Sequence, residues 1–238
     1  MSVGQHVLAF LVMLVGAAVQ GAVGFGSNLV AAPLLVLIDP QLVPGPAITA
    51  SLLLNVLVLR RERAPHVWRE IAVPVIGQVP GAVAGAAVLA LVAKANLAIF
   101  FSILILIAVG VSISGLHPPR NRVTLIIAGF AAGFIGTAVG IGGPPMALLY
   151  QRANGPEIRA ALSRFFGIGG VISLAMLTAF GQFHLDDLLI SLSLMPGTIV
   201  GYLISGKLLG HVDRGRVRIA VLSLSGASAL VALVRALL

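Results

Sequence analysis

Charged residues divide this chain into eight long stretches that carry none: 1–38, 40–59, 71–93, 95–119, 123–151, 165–185, 188–206 and 219–234. A helix crossing the hydrocarbon core of a bilayer needs about 20 predominantly apolar residues, and most of the stretches have that length. None alternates with period two, as the strands of a membrane barrel do. Composition points the same way. Charged residues make up 9% of the 238 and hydrophobic ones 59%, whereas a soluble domain carries about 25% charged residues. So little polar side chain cannot cover a water-facing surface, and lipid is the expected solvent. The expected fold class is an all-α polytopic membrane protein, a single transmembrane domain over 1–238.

The same counts exclude several functions. The chain has no cysteine, so disulfides and thiolate metal sites are ruled out. Its net charge of +8 would suit nucleic acid, but the basic residues sit between the apolar stretches, as positive-inside loops do. Nucleic-acid binding is not expected. Asp39, Glu62, Glu70, Glu157, Asp186, Asp187 and Asp213 all lie near stretch boundaries, and so do His6, His66, His117, His184 and His211. No carboxylate or histidine is left at depth for a proton relay, a metal centre or a paired-acid hydrolase. The chain is expected to be no enzyme, with no catalytic residue, metal or cofactor.

A repeat organises the stretches. Ala22-Val23-Gly24-Phe25-Gly26 returns as Ala138-Val139-Gly140-Ile141-Gly142. Pro80-Gly81-Ala82-Val83-Ala84-Gly85 returns as Pro196-Gly197-Thr198-Ile199-Val200-Gly201, at the same offset of 116. Two matches at one offset predict two halves, 1–119 and 120–238, with four apolar stretches each. Paired Gly/Pro-interrupted segments mark the substrate site in many transporters built this way.

Charge placement then predicts the topology. If every stretch crosses once, the 15 Lys and Arg divide 7 to 8 between the faces, which sets no orientation. If the first and fifth stretches turn back as re-entrant hairpins, one face holds Arg60, Arg61, Arg63, Arg69, Arg120, Arg122, Arg152, Arg159, Arg164, Lys207, Arg214, Arg216 and Arg218. The other then holds only Lys94 and Arg235. That is the positive-inside pattern. Each half becomes a glycine-broken re-entrant helical hairpin plus three transmembrane helices. Three crossings being odd, the halves form two inverted repeats, with both termini outside.

The breaks are the expected site. The first hairpin reads as a helix over 3–20, a reversal at Gly21–Gly26 and a shorter helix over 27–38, with Ser27 and Asn28 as its caps. The second breaks at Gly140-Ile141-Gly142-Gly143-Pro144-Pro145 and restarts at Pro144, running to about Tyr150. Hairpins entering from opposite faces bring their tips together near the midplane. The restarting helices then aim free N–H groups and positive dipole ends at one point, which suits an anion. The substrate-binding candidates are Gly24, Gly26, Ser27, Asn28, Asn55, Gly140, Gly142, Gly143 and Arg164. Arg164 lies about 12 Å along a helix starting near Pro156. It either snorkels to the basic face or turns inward to pair with an anion. Asn55, Gln78, Gln20, Ser51, Thr137 and Tyr202 are neutral groups at depth, each expected first as a helix–helix hydrogen bond. Gly77/Gly81/Gly85 and Gly197/Gly201 have the spacing of close helix packing, within one chain or in a homodimer.

The duplicated glycine motif, Gly21 to Gly26 with Pro33 and Gly136 to Gly143 with Pro144, resembles the TauE/SafE family of membrane permeases. So do the Pro-Gly helices at Pro80 and Pro196 and the segment from Arg159 to Arg164. The resemblance covers nearly the whole chain. It implies transport of a small anion, often sulfite or an organosulfonate, across the bacterial inner membrane. The chain departs from its own symmetry at one place: Ser27-Asn28 stands where the second half has Gly143-Pro144. The alternatives are a membrane scaffold or channel-like subunit and an intramembrane enzyme. A ligand-sized cavity between the breaks favours a transporter, and a dry packed interior favours a scaffold.

Overall fold

The computed structural model describes residues 2–62, 68–150, 155–209 and 214–237. Of the residues singled out above, Arg63, His66, Arg152, His211 and Asp213 lie outside this set. The described residues form ten α-helices and no strand: α1 (Val3–Val23), α2 (Ser27–Ile38), α3 (Gly45–Glu62), α4 (Trp68–Leu91), α5 (Leu97–Ile113), α6 (Arg122–Val139), α7 (Gly143–Tyr150), α8 (Gly155–Ala179), α9 (Leu185–Leu208) and α10 (Arg214–Leu237). Eight of them, all but α2 and α7, are long and apolar enough to cross a membrane. Their outer faces carry large apolar side chains such as Ile127, Leu189 and Leu203, each more than half exposed, as lipid contact requires. The chain is a multi-pass membrane protein.

Both helix breaks fall on the glycine motifs. α1 stops at Gly24, φ +109°, whose N–H donates to Gln20 O at 2.7 Å. α6 stops at Gly140, φ +82°, whose N–H donates to Gly136 O at 2.9 Å. A side chain in this left-handed region costs about 1–2 kcal/mol, so glycine sets where each helix ends. α2 covers the expected 27–38, while α1 runs on to Val23 rather than ending at residue 20. α7 starts at Gly143, so Pro144 and Pro145 stand in its first turn, where a missing N–H is no loss. The expected caps are corrected. Position N-cap of α2 is Gly26, in left-handed conformation and with no side chain to cap, because the helix already begins at Ser27 and takes Ser27 and Asn28 into its first turn.

Each hairpin folds back on itself: Gly16 backs onto Ser27, and Gly136 and Ala132 onto Gly142. By 1.5 Å per residue, α1 and α6 are about 31 and 27 Å long and the returning α2 and α7 about 18 and 12 Å. The long arm of each hairpin is therefore long enough to cross alone.

Two helix pairs pack most extensively, α4 with α6 and α1 with α9. Both use the glycine stripes. A Cβ built on Gly77, Gly81 or Gly85 would lie within 2.5 Å of the carbonyl oxygen of Ile126, Phe130 or Phe134 respectively. One on Gly197 or Gly201 would lie 2.4 or 2.2 Å from the carbonyl oxygen of Phe10 or Leu14. The stripes let backbones touch inside one chain, and the rising numbers on both sides make each pair parallel. α3 and α8 run antiparallel, with Gly167 against Asn55 and Gly170 against Leu52 and Ile48. The contacts come in exchanged sets. α1 on α9 mirrors α6 on α4, α3 on α9 mirrors α8 on α4, and α2 on α10 mirrors α7 on α5.

Candidate functional site

A cavity of about 70 Å³ lies where the two breaks meet. A void needs about 10–15 Å³ by this measure to hold one water, so this one has room for a small solute of several atoms. The first half of the chain lines it with Gln20, Gly26, Asn28, Leu29, Ile48, Ser51, Asn55 and Gln78. The second half supplies Ala132, Gly136, Gly140, Ile141, Gly142, Gly143, Phe166, Gly169, Gly170 and Ser173. Among the described residues, no charged one is in the wall, polar side chains come from the first half, with Ser173 the exception, and the second half offers mainly glycine backbone.

Hydrogen bonds join the elements around this space. Asn28 Nδ2 donates to Gly140 O at 2.9 Å, tying the start of α2 to the other break. Ser51 Oγ on α3 donates to Asn28 Oδ1 at 2.9 Å. Gln20 Nε2 donates to Asn55 Oδ1 at 2.9 Å, and the Ser27 N–H donates to Gln20 Oε1 at 3.2 Å. Thr137 and Ser173 share a hydrogen bond of 2.7 Å between α6 and α8. Gln78, 4% exposed, reaches the wall from α4 because α8 carries glycine opposite. A Cβ on Gly169 would stand 1.8 Å from Gln78 Nε2. Gln78 Oε1 is buried with no hydrogen-bond partner among the described residues.

The helix starts present donors unequally. In α7, Pro144 and Pro145 have no N–H, so Gly143 and Met146 carry the first-turn donors. In α2 the Ser27 N–H is already bonded, and that of Val30 returns to Gly26 O at 3.1 Å. Both positive helix ends border the cavity through Gly26, Asn28, Gly142 and Gly143.

A charged cluster holds the first break from the side of the basic loops. Arg159 grips Glu62 with Nε to Oε1 at 2.7 Å and Nη2 to Oε2 at 3.1 Å, a bidentate pair with both side chains under 10% exposed. Arg61 Nε also donates to Glu62 Oε1, at 3.1 Å. The two arginines then reach the last carbonyls of α1: Arg159 Nη1 to Ala22 O at 3.4 Å, and Arg61 Nη2 to Gly21 O. Arg61 Nη1 donates to Ser205 Oγ at 2.9 Å, and its guanidinium lies 5.2 Å from the Tyr202 ring centre. A helix C-terminus leaves carbonyls unpaired and carries partial negative charge, so cations belong there.

The residues expected at the site divide accordingly. Gly26, Asn28, Asn55, Gly140, Gly142 and Gly143 line the cavity. Gly24, Ser27 and Arg164 are not in its wall. Gly24 packs on the Arg159 backbone, Ser27 faces Gly16 and Gln20, and Arg164 is buried on α8 at 8% exposure. Sequence reasoning treated Gln20, Ser51 and Gln78 as helix joints, and the first two are joints and wall at once. It missed Gly169 and Gly170, for which the signal was a glycine pair in the middle of an apolar helix. It also read Arg61, Glu62 and Arg159 as loop charges. An acid flanked by Arg61 and Arg63 was the available hint of a buried pair.

A family described as Sulfite exporter TauE/SafE matches residues 8–232. No curated protein and no solved structure matches the chain.

Proposed function

Since the chain belongs to the sulfite exporter TauE/SafE family, we propose that it carries sulfite or an organosulfonate across the bacterial inner membrane, bound between the two helix breaks. The family is one of membrane transporters of sulfur-containing anions, so the reaction class is translocation. The observation that carries the choice of site is the cavity walled jointly by Gly26, Asn28, Gly140 and Gly142. A scaffold would gain nothing from an unfilled space there, since interiors otherwise pack closely. Backbone and carboxamide N–H groups around the space suit oxyanion oxygens.

The reading takes the halves as inverted repeats. The antiparallel run of α3 against α8 and the exchanged helix contacts support it. It places both chain termini outside and the Arg61–Glu62–Arg159 cluster towards the inner face, and it retains a homodimer as a form to be tested. Sulfite and taurine uptake into proteoliposomes tests the transport step. Flux of either above that of empty vesicles is expected, and inhibition by Asn28→Leu would tie it to the cavity. A folded protein that neither binds nor moves any oxyanion would leave the scaffold reading standing. A reporter fused to the C-terminus should give no cytoplasmic signal, and a cytoplasmic one would overturn the assigned orientation.

A further inference from the structure

We propose that the cavity selects the singly charged form of its oxyanion and excludes the doubly charged one, with Gln78 as a donor that reads it. The inference rests on the transport reading above and adds the charge state of the cargo.

Among the described residues, the wall contains no lysine, arginine or histidine to balance a buried charge. The arginines of the first break do not serve. Arg61 and Arg159 are spent on Glu62 and on the carbonyls of Gly21 and Ala22. Arg164 sits on α8 two positions before Phe166 and is not part of the wall. Binding must therefore replace water by neutral dipoles alone. The cost of desolvating an ion rises with the square of its charge, so a dianion loses about four times what a monoanion loses. The return from N–H dipoles rises only in proportion to charge. Neutral donors can hold a monoanion in such a site and lose a dianion to water.

Gln78 is the side chain placed to contribute. It is buried, lines the cavity, and lies on Gly169 so closely that any side chain there would displace its amide. Its Oε1 has no partner among the described residues. An amide left partly unsatisfied inside a protein is costly unless a ligand or water completes it. Rotation of its terminal torsion exchanges N–H₂ and oxygen, so it can donate to an oxyanion or accept from a protonated one such as hydrogensulfite.

The test is calorimetric titration of the purified full-length protein with sulfite, methanesulfonate and sulfate, on the acid and alkaline sides of sulfite's own protonation. Sulfite should bind about tenfold or more tightly on the acid side, methanesulfonate equally on both, and sulfate on neither. Sulfate binding on a par with methanesulfonate, or sulfite binding that tightens with rising pH, would overturn the inference and leave the transport reading intact. Failure of all three to bind at either pH would instead remove the transport reading itself. Gln78→Leu and Gly169→Ala should each weaken methanesulfonate about tenfold, by removing or displacing one bond to an anion. Unchanged affinity in both, with the unliganded melting temperature as the check on folding, would remove Gln78 from the proposal. The wild-type series decides the charge rule without either variant.

Discussion

The two helix breaks share a motif and a backbone turn but are held by opposite means. The first is clamped. Arg61 and Arg159 bind the last carbonyls of α1, and Glu62 binds the arginines to each other. The second break shows no such clamp among the described residues, and its carbonyl at Gly140 is held by Asn28, a side chain of the first. The same inequality runs through the cavity, where the first half supplies carboxamides and the second supplies glycines. The first break thus brings side chains to the cavity, and the second sets a largely backbone surface against it.

That division can be broken at its strongest point first. Arg159→Met leaves Glu62 buried without its bidentate partner and frees Ala22 O. Loss of one member of a buried pair costs about 3–5 kcal/mol, and unfolding in denaturing detergent should show a drop of this order. Glu62→Gln combined with it should cost less than the sum of the two, because Glu62 is then no longer a buried carboxylate without its bidentate partner.

Asn28→Ala removes the bond that joins the two breaks and orphans Ser51 Oγ as well, for about 2 kcal/mol. Pro144→Ala at the equivalent position of the second half should cost well under 1 kcal/mol, since a first-turn proline makes no hydrogen bond through its nitrogen. Equal losses in the thermal melts of the two variants would mean that the breaks are held alike.

The smallest contrast lies in the turn glycines. Gly24→Ala and Gly140→Ala both place a side chain at positive φ, at about 1–2 kcal/mol. At Gly24 the new Cβ also meets Arg159 Cα and N at 3.2 and 3.3 Å, whereas at Gly140 the nearest atom is the Asn28 amide at 3.4 Å. Gly24→Ala should therefore melt lower, by a margin of about 1 kcal/mol, and the reverse order would place the looser packing at the first break.

Local patterns explain which features could be read in advance. The eight apolar stretches, the turns at Gly24–Gly26 and Gly140–Gly142 and the short restart before Tyr150 are each set by residues within a few positions of one another. The Pro-Gly helices could be recognised as close-packing surfaces, but their partners could not. Gly81 faces Phe130 and Gly201 faces Leu14, contacts between residues far apart in sequence that follow from how whole helices settle together. Arg159 is a similar case. By sequence it stands among loop charges, and only folding brings it 2.7 Å from Glu62.

The sequence by itself determined that this chain lives in a bilayer, where its helices break, and that both breaks carry a similar glycine motif. These follow from hydropathy over about 20 residues and from the backbone freedom of glycine, both local properties. Only the tertiary structure decided that the cavity wall is neutral among the described residues, that Gly169 makes room for Gln78, and that the two arginines guard a helix end. Those depend on which side chains meet across helices, and in this protein two arginines that read as loop charges are used to hold its first break in place.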